Sequence, residues 1–231
     1  VLAMQVFEPQ QERYLKTKIP ILKELSNEVS SKVRDQYEES PYPKWIDLGW
    51  SLSPAPIAKV VKVLKIRLFE HSIIEVKAPT ILIAGCGTGQ HSIDTAARFK
   101  NAKVLAIDLS LSSLAYAQRK TEALGVQNLE YMQADLLDLG QLNKTFDIIE
   151  SAGVLHHMEN PMAGWKVLAS CLKAGGLMKI GLYSELARQH IVKMREEIQQ
   201  LGMGTDDIGM KRFRNEVISS KAPHHQLIIS L

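Results

Sequence analysis

The chain has 231 residues, of which 45% are hydrophobic and 23% charged, and this composition is typical of a folded globular domain. Its 28 basic and 25 acidic residues give a net charge of +3 without any long run of like charge, so nucleic acid is neither implied nor excluded as a partner. Cys86 and Cys171 are too few and too isolated for a disulfide framework or a CxxC metal site, and no metal is predicted. No apolar run approaches the roughly 18 residues of a membrane span. We therefore expect a cytoplasmic protein without membrane contact, and the start at Val1 suggests a fragment of a longer one.

The first 78 residues are predicted to form helices and one aromatic loop. Apolar residues recur at helical spacing within residues 8–39, at Ile21, Leu22, Leu25, Val29 and Val33. Two helices separated near Pro20 are expected there. Residues 40–56 contain four prolines and two tryptophans, which predicts an ordered loop with a large apolar surface. A further helix is expected over residues 57–70.

From Pro79 onwards, short apolar runs alternate with longer helical segments. The runs are TILIAG, AKVLAID, NLEYMQ, FDIIES and GLMKIGLY. Alternating strands and helices predict an α/β fold with a doubly wound parallel sheet. We expect residues 79–184 to form this core, after an N-terminal helical extension over 1–78. Residues 185–231 are expected to be helical. They begin with an amphipathic helix that Ser184 caps and Gly202 ends, and a strand-like QLIISL stands at the end.

A glycine-rich turn directly follows the first predicted strand. It contains Gly85, Gly87 and Gly89, which allow the backbone to approach a ligand closely. A nicotinamide dinucleotide fingerprint requires GxGxxG, but Gln90 occupies the position of the third glycine and the turn is GxGxG, which disfavours this cofactor. Asp108 ends the second strand, 23 residues after Gly85, where a carboxylate can accept hydrogen bonds from a ribose. The alternative is that Asp108 caps the helix that begins near Ser110.

Five segments occur in an order that resembles the class I S-adenosylmethionine-dependent methyltransferases. They are ILIAGCGTG, VLAIDLS, YMQADLLDL, FDIIESAGVLHHMENP and LKAGGLMKIGLYS. The segment QYEESPYPKW also looks like one found in bacterial methyltransferase domains that follow tetratricopeptide repeats. The resemblance implies S-adenosylmethionine as cofactor, S-adenosylhomocysteine as product and an unknown methyl acceptor as partner. It also implies a Rossmann-like sheet in the order 3-2-1-4-5 and a C-terminal antiparallel hairpin, which is expected to be incomplete or absent because only QLIISL follows the last predicted helices. The oligomeric state stays open.

The resemblance also implies which residues hold this cofactor. The three glycines of the turn are expected near its methionine part, and Ser151 near its backbone. The nucleoside is expected to contact Asp108, Leu109, Asp135 and Leu136: Asp108 through the ribose hydroxyls, Leu109 and Leu136 at the adenine ring and Asp135 at its amino group. Many members of the family carry an acidic residue at the position of Ile83. Gln90, His91 or a residue of the aromatic loop is expected to substitute for it.

Methyl transfer from a sulfonium depends mainly on positioning and desolvation, and needs a base only when the acceptor must lose a proton. His156 and its neighbour His157, beyond the fourth strand, are the candidates for such a base, or else form a structural turn. Tyr37 is the leading candidate for an aromatic lid over the cofactor. Its companions in that role are Tyr42, Trp45 and Trp50, which could instead pack the N-terminal helices onto the sheet.

The sequence thus predicts a methyltransferase that acts on an unidentified small molecule or protein side chain. Two alternatives remain open. The first is a cofactor-binding module without catalytic function, or a truncated methyltransferase domain. The second is a nicotinamide-dependent oxidoreductase, which the glycine turn disfavours.

Overall fold

A computed structural model describes residues 2–24, 27–46, 53–204 and 206–229. The chain divides into two compact units, Val1–Leu182 and Tyr183–Leu231. The first unit contains a five-stranded sheet, and the second consists of helices in the part that the structure describes.

All neighbouring strands in the sheet are parallel, and their order is β3-β2-β1-β4-β5. The strands are β1 (Thr80–Ala84), β2 (Lys103–Asp108), β3 (Leu129–Gln133), β4 (Phe146–Ala152) and β5 (Leu172–Gly181). The predicted fold class is therefore confirmed. The chain order reverses between β1 and β4, and open α/β sheets bind ligands at such a switch point, beyond the carboxyl ends of the strands.

Helices cover both faces of the sheet, since parallel strands need long crossover connections. The helices of the first unit are α1 (Glu8–Lys16), α2 (Glu28–Glu39), α3 (Ile57–Val63), α4 (Gln90–Arg98), α5 (Leu111–Ala123) and α6 (Pro161–Ser170). Short 3₁₀ helices lie at Ser72–Glu75, Leu136–Leu142 and Leu155–His157, and a π-helical turn precedes α1 at Ala3–Phe7.

The alternation of side chains along β1 divides the apolar interior into two clusters. Ile81 and Ile83 face the cluster that α4 and α5 complete with Ile93 and Leu114. The intervening Leu82 faces the other cluster, with Leu168 of α6 and Leu139. This central strand is therefore buried on both faces, which is why it reads as a continuous apolar run.

The N-terminal segment attaches to the open edge of the sheet. The amide of Leu22 donates to the carbonyl of Gln133 (2.9 Å), and the amide of Gln133 donates to the carbonyl of Pro20 (2.9 Å). These hydrogen bonds cover part of the β3 edge, which would otherwise expose unpaired backbone groups. The connection between α1 and α2 is consequently longer than the single break predicted at Pro20.

Two helix predictions need correction. The helix expected over residues 57–70 ends at Val63, because Lys65 adopts a left-handed conformation (φ 54°) that interrupts a right-handed helix. Within the described residues the strand-like QLIISL is also helical, since Pro223–Ile229 forms a helix that packs on two neighbouring helices while Leu227 and Ile229 stay exposed. Tertiary packing overrides β-propensity in such short apolar runs.

The second unit contains three helices within its described residues: α7 (Gln189–Gln200), α8 (Asp207–Ser219) and α9 (Pro223–Ile229). The helix predicted to run from Ser184 begins instead as a 3₁₀ turn at Leu186–Arg188. The Ser184 hydroxyl accepts a hydrogen bond from the amide of Ala187 (3.2 Å), as predicted for a capping residue. No antiparallel hairpin occurs among the described residues after Tyr183. None of the described helices has the length and apolar character needed to cross a bilayer.

Candidate functional site

The glycine turn joins β1 to α4 at the switch point of the sheet. All three glycines have positive φ angles: 79° at Gly85, 52° at Gly87 and 87° at Gly89. A Cβ atom on Gly85 would lie 2.2 Å from Val154, beyond β4, so the β1 and β4 loops touch here. A Cβ atom on Gly87 would make an ordinary contact with the backbone oxygen of Tyr42, 3.6 Å away, and meet nothing closer. Gly87 is half-buried, and the turn has room for a small group there.

Asp108 connects the end of β2 to the glycine turn. One carboxylate oxygen accepts a hydrogen bond from the amide of Gly87 (2.7 Å), and the other accepts from the amide of Ser110 (3.0 Å). Burial, together with the negative charge of Glu38, raises the pKa of Asp108 above its ordinary value of 3.8, against the opposing effect of these hydrogen bonds. The capping residue of α5 is Ser110, which accepts from the amide of Ser113, so Asp108 is not the helix cap.

Glu38, at the end of α2, contacts the start of α5. Its Oε2 lies 2.9 Å from the Ser110 hydroxyl and accepts from the Ser112 amide at 3.0 Å, while its Oε1 pairs with Lys16. Burial alone would raise the pKa of Glu38, but Lys16 and these hydrogen bonds hold it below 4.5. The Ser110 hydroxyl also lies 3.1 Å from the carbonyl of Tyr37. The backbone of Tyr37 therefore lies beside Ser110, which directly follows the predicted nucleoside contacts Asp108 and Leu109.

The other predicted nucleoside residues lie at the ends of β2 and β3. The amide of Ala134 donates to the carbonyl of Asp108 (3.1 Å), which brings these two strand ends together. Asp135 is buried and accepts a hydrogen bond from the amide of Leu137 (2.9 Å), as the cap of a 3₁₀ helix. Leu136 is buried, and the carbonyl of Leu109 accepts from the Gln133 side chain (2.7 Å).

Ser151 connects the two strands at the switch point. Its side chain is buried, and its hydroxyl donates to the carbonyl of Ala84 (3.0 Å), the last residue of β1. Gln90 is half-buried and begins α4 directly after the glycine turn.

The aromatic loop reaches the glycine turn through Trp45. The indole Nε1 donates to the carbonyl of Thr88 (2.9 Å), and the Thr88 hydroxyl donates to the carbonyl of Pro43. Trp45 is only 7% exposed and packs edge-on against Tyr116 of α5, with ring centroids 6.3 Å apart. Trp45 thus supports the turn from within the core, in line with the packing alternative. Tyr42 is exposed, and Trp50 lies outside the described residues.

A buried ionic cluster lies beneath the first turn of α4. Glu150 of β4 is 4% exposed, and its Oε2 lies 2.5 Å from Nε2 of His91, 2.9 Å from the Thr95 hydroxyl and 3.8 Å from Nζ of Lys179. Burial raises the pKa of Glu150, but His91, Lys179 and Thr95 outweigh it, and the pKa lies below 4.5. Glu150 is the register partner of Ile83 on β1 and of Lys179 on β5. The cluster therefore lies in the same row of the sheet as position 83, where many members of the family carry an acidic residue.

His156 and His157 lie in the 3₁₀ turn that follows β4. Their ring centroids are 4.3 Å apart; His156 is half-buried with both ring nitrogens buried, and His157 is exposed. The preceding Leu155 is almost completely buried and anchors this turn in the core. The turn therefore lies beyond the carboxyl end of β4, on the side of the sheet where ligands bind in such folds.

Sequence comparison assigns this core to a known domain family. Residues 81–176 match the family model described as a methyltransferase domain. With the parallel sheet and the glycine turn, the match agrees with the resemblance of this segment to class I S-adenosylmethionine-dependent methyltransferase domains. The predicted family resemblance is confirmed for these residues, and the link to tetratricopeptide repeats stays a prediction.

Individual relatives match the same region. An uncharacterized protein from Synechococcus sp. is 42% identical over 124 residues, which cover 53% of this chain and 30% of that protein. A probable (S)-tetrahydroprotoberberine N-methyltransferase 2 from Papaver bracteatum is 30% identical over 99 residues, covering 43% of this chain and 27% of that protein. The chain thus spans less than a third of the length of these two relatives.

Solved structures share the fold. PKMT2 from Rickettsia typhi superposes with a TM-score of 0.54 at 17% identity, over 81% of this chain and 36% of that one. A second structure of that protein, in complex with AdoHcy, gives a TM-score of 0.52 at 19% identity, over 67% and 32% of the two chains.

Two features of the site escaped the sequence analysis. Glu38 was hidden in a charged helix, and only the tertiary structure places it at the start of α5. Glu150 could have been noticed, because an acidic side chain within the buried run FDIIES needs a partner. The sequence could not show that His91 and Lys179 supply it.

Proposed function

We propose that this methyltransferase domain binds S-adenosylmethionine at the switch point and transfers its methyl group to a small molecule or a protein side chain. The observation that carries the proposal is the hydrogen bond from the Gly87 amide to Asp108, because it joins a carboxylate to the glycine turn at the ends of two adjacent strands.

The hydrogen-bond acceptors at the ends of β2 and β3 fit a nucleoside. A carboxylate has about four lone-pair sites, and the backbone uses one site on each oxygen of Asp108. The Leu109 amide also stabilises the charge on this carboxylate, so at least one acceptor site remains for a ribose hydroxyl. Asp135 uses one oxygen for the Leu137 amide, and its remaining acceptor capacity suits the amino group of adenine. Leu109 and Leu136 supply apolar surface for the ring.

The methionine end of the cofactor fits the glycine turn. The absence of side chains at Gly85, Gly87 and Gly89 allows close approach, and α4 begins directly after the turn with free amide groups. Gln90 is positioned to add a polar contact there. In this proposal the pairing of Glu150 with His91 fixes the first turn of α4, so Glu150 acts as a positioning residue.

The bound cofactor supplies an electrophilic methyl group, and the protein contributes alignment and exclusion of water. Trp45 and Thr88 hold the glycine turn rigid from one side, and the contact between Gly85 and Val154 holds it from the β4 side. His156 is our candidate for accepting a proton from acceptors that must lose one. Tyr37 is our candidate for covering the nucleoside, since its backbone is tied to Ser110.

Isothermal titration of the purified chain with S-adenosylhomocysteine, S-adenosylmethionine and NAD tests the binding part of the proposal. We expect one site per chain for the first two ligands and no binding of NAD. Saturable NAD binding without S-adenosylhomocysteine binding would overturn the proposal in favour of an oxidoreductase. The family match does not favour that alternative.

The transfer itself is tested by following S-adenosylhomocysteine formation. Parallel reactions contain small amines, small carboxylates or unfolded peptides as acceptors. Product formation that depends on one class of acceptor supports transfer and names the class. Tight cofactor binding without turnover in any reaction, including cell-free small-molecule extract, would favour a non-catalytic binding module.

A further inference from the structure

The helical unit Tyr183–Leu231 contains a cluster of metal-binding side chains. Glu197 lies on α7, and His224 and His225 lie in the first turn of α9. One ligand atom from each of the three residues lies within 4.8 Å of the others. The Nε2 atom of His224 is 2.6 Å from Oε1 of Glu197, and that of His225 is 2.7 Å from Oε2. Both imidazoles therefore direct the same ring nitrogen at a single carboxylate.

We propose that Glu197, His224 and His225 bind a divalent transition-metal ion of the zinc class. Imidazole nitrogen and carboxylate oxygen are ligands that suit Zn²⁺, at distances of about 2.0–2.2 Å, and two histidines with one glutamate leave a fourth position for water. Tetrahedral ligands at such distances lie roughly 3.3–3.5 Å apart, so the carboxylate needs to retreat by less than about 1 Å from each ring.

The surroundings support a built site. His225 is 5% exposed, and its ring meets Phe213 of α8 edge-on with centroids 6.2 Å apart. The His224 ring lies 4.4 Å from that of His225, so packing fixes both rings before an ion arrives. Such preorganisation lowers the entropic cost of binding.

The other side of the cluster is accessible. The side chains of His224 and Glu197 retain 17% and 33% exposure, which provides an entry path and room for a bound water. A metal bound here cross-links α7 to α9, which are far apart in sequence. An ion that binds only the folded state raises the stability of that state by mass action.

The site does not use the chemistry of the methyltransferase core. The proposal is therefore independent of the proposed function. The three residues form no local sequence motif, because the glutamate lies 27 residues from the nearer histidine. This separation is outside the short spacings of common zinc motifs.

The test is titration of the metal-stripped 231-residue chain with Zn²⁺ in competition with a chromophoric chelator. We expect one equivalent of Zn²⁺ per chain with a dissociation constant in the micromolar range or below. Glu197→Gln and His224→Ala should each weaken binding at least tenfold. Matched controls are Glu196→Gln, one residue earlier on the same helix and exposed, and His71→Ala, an exposed histidine of the other unit. Both should bind as the wild type does.

Thermal unfolding provides the second measurement and guards against misfolded variants. Zn²⁺ should raise the melting temperature of the wild type and of both controls, but not that of Glu197→Gln, whose helical circular dichroism should be unchanged. Mg²⁺ should have no effect, because hard cations prefer all-oxygen sites. If the wild type takes up no Zn²⁺, the three residues form an ion pair only, and the proposal is overturned. Equal loss of Zn²⁺ in Glu196→Gln and Glu197→Gln would do the same.

Discussion

Ile83 of β1 and Glu150 of β4 are register partners at the centre of the sheet. Partners in a parallel pair project their side chains from the same face, and both residues face α4. An acidic residue thus lies on the neighbouring strand in the same row as position 83. His91, which the sequence analysis considered as a direct substitute, pairs with this glutamate instead.

Glu150→Gln is expected to destabilise the protein by about 1–3 kcal/mol, because a buried charge-assisted hydrogen bond to His91 is lost. If Glu150 positions α4, the variant should also bind S-adenosylhomocysteine more weakly while it remains folded. Thermal unfolding and titration calorimetry measure the two effects. Glu130→Gln, an exposed glutamate of β3, is the matched control. Unchanged affinity in a destabilised Glu150→Gln variant would reduce Glu150 to a purely structural residue.

The same ion pair predicts a dependence of stability on pH. The folded-state pKa of Glu150 lies below its ordinary value of 4.5, so its contribution is fully present above pH 4.5 and is lost as the pH falls towards the folded pKa. The difference in unfolding free energy between wild type and Glu150→Gln should therefore shrink as the pH falls below 4.5, by at most about 1.4 kcal/mol per pH unit. Chemical denaturation at several pH values measures it. A difference that grows as the pH falls below 4.5 would contradict the assignment.

Asp108→Asn tests the nucleoside contact. An asparagine has one carbonyl oxygen, so it can accept from only one of the two backbone amides and offers fewer acceptor sites to a ribose. We expect at least a tenfold loss of affinity for S-adenosylhomocysteine, which corresponds to about 1.4 kcal/mol. Melting should change little, since the substitution also removes a buried charge whose pKa is raised by burial. Unchanged affinity in Asp108→Asn and Asp108→Ala would remove this residue from the site.

The glycine turn offers a matched pair of variants. A Cβ atom at Gly89 would lie 2.5 Å from Ala117 and 2.9 Å from the Tyr131 hydroxyl, whereas at Gly87 its nearest neighbour is 3.6 Å away. Gly89→Ala should therefore destabilise the fold by several kcal/mol, and Gly87→Ala only by the roughly 1 kcal/mol of its positive φ angle. Gly87→Ala should nevertheless bind S-adenosylhomocysteine more weakly, as measured by calorimetry. Normal binding in this variant would mean that the ligand does not approach Gly87.

Two aromatic residues are expected to behave differently. Trp45→Ala removes a buried ring and its hydrogen bond to Thr88, which should cost about 3–5 kcal/mol of stability. Tyr37→Ala should leave the melting temperature of the ligand-free protein nearly unchanged and raise the dissociation constant for S-adenosylhomocysteine, if Tyr37 covers the nucleoside. Melting several degrees lower for Tyr37→Ala without ligand would place its ring in the core and end the lid hypothesis.

The sequence by itself determined the sheet, its strand order through the family resemblance, and the position of the glycine turn. The strands are short apolar runs separated by helical segments. Such patterns can be read from the sequence because the spacing of apolar residues in a strand or a helix follows from local backbone geometry. The prediction was wrong where a short segment is compatible with two conformations. Pro223–Ile229 is helical, and the helix that begins at Ile57 ends at Val63.

Only the tertiary structure decided which charges meet. Glu150 comes to His91 and Lys179 because strand register and a crossover helix bring together residues 59 and 29 positions apart. Glu38 reaches Ser112, and Glu197 reaches His225, by the same kind of long-range packing. Such pairs leave little mark on local sequence pattern, because the energy of a buried charge depends on its neighbours in space and not on its neighbours along the chain.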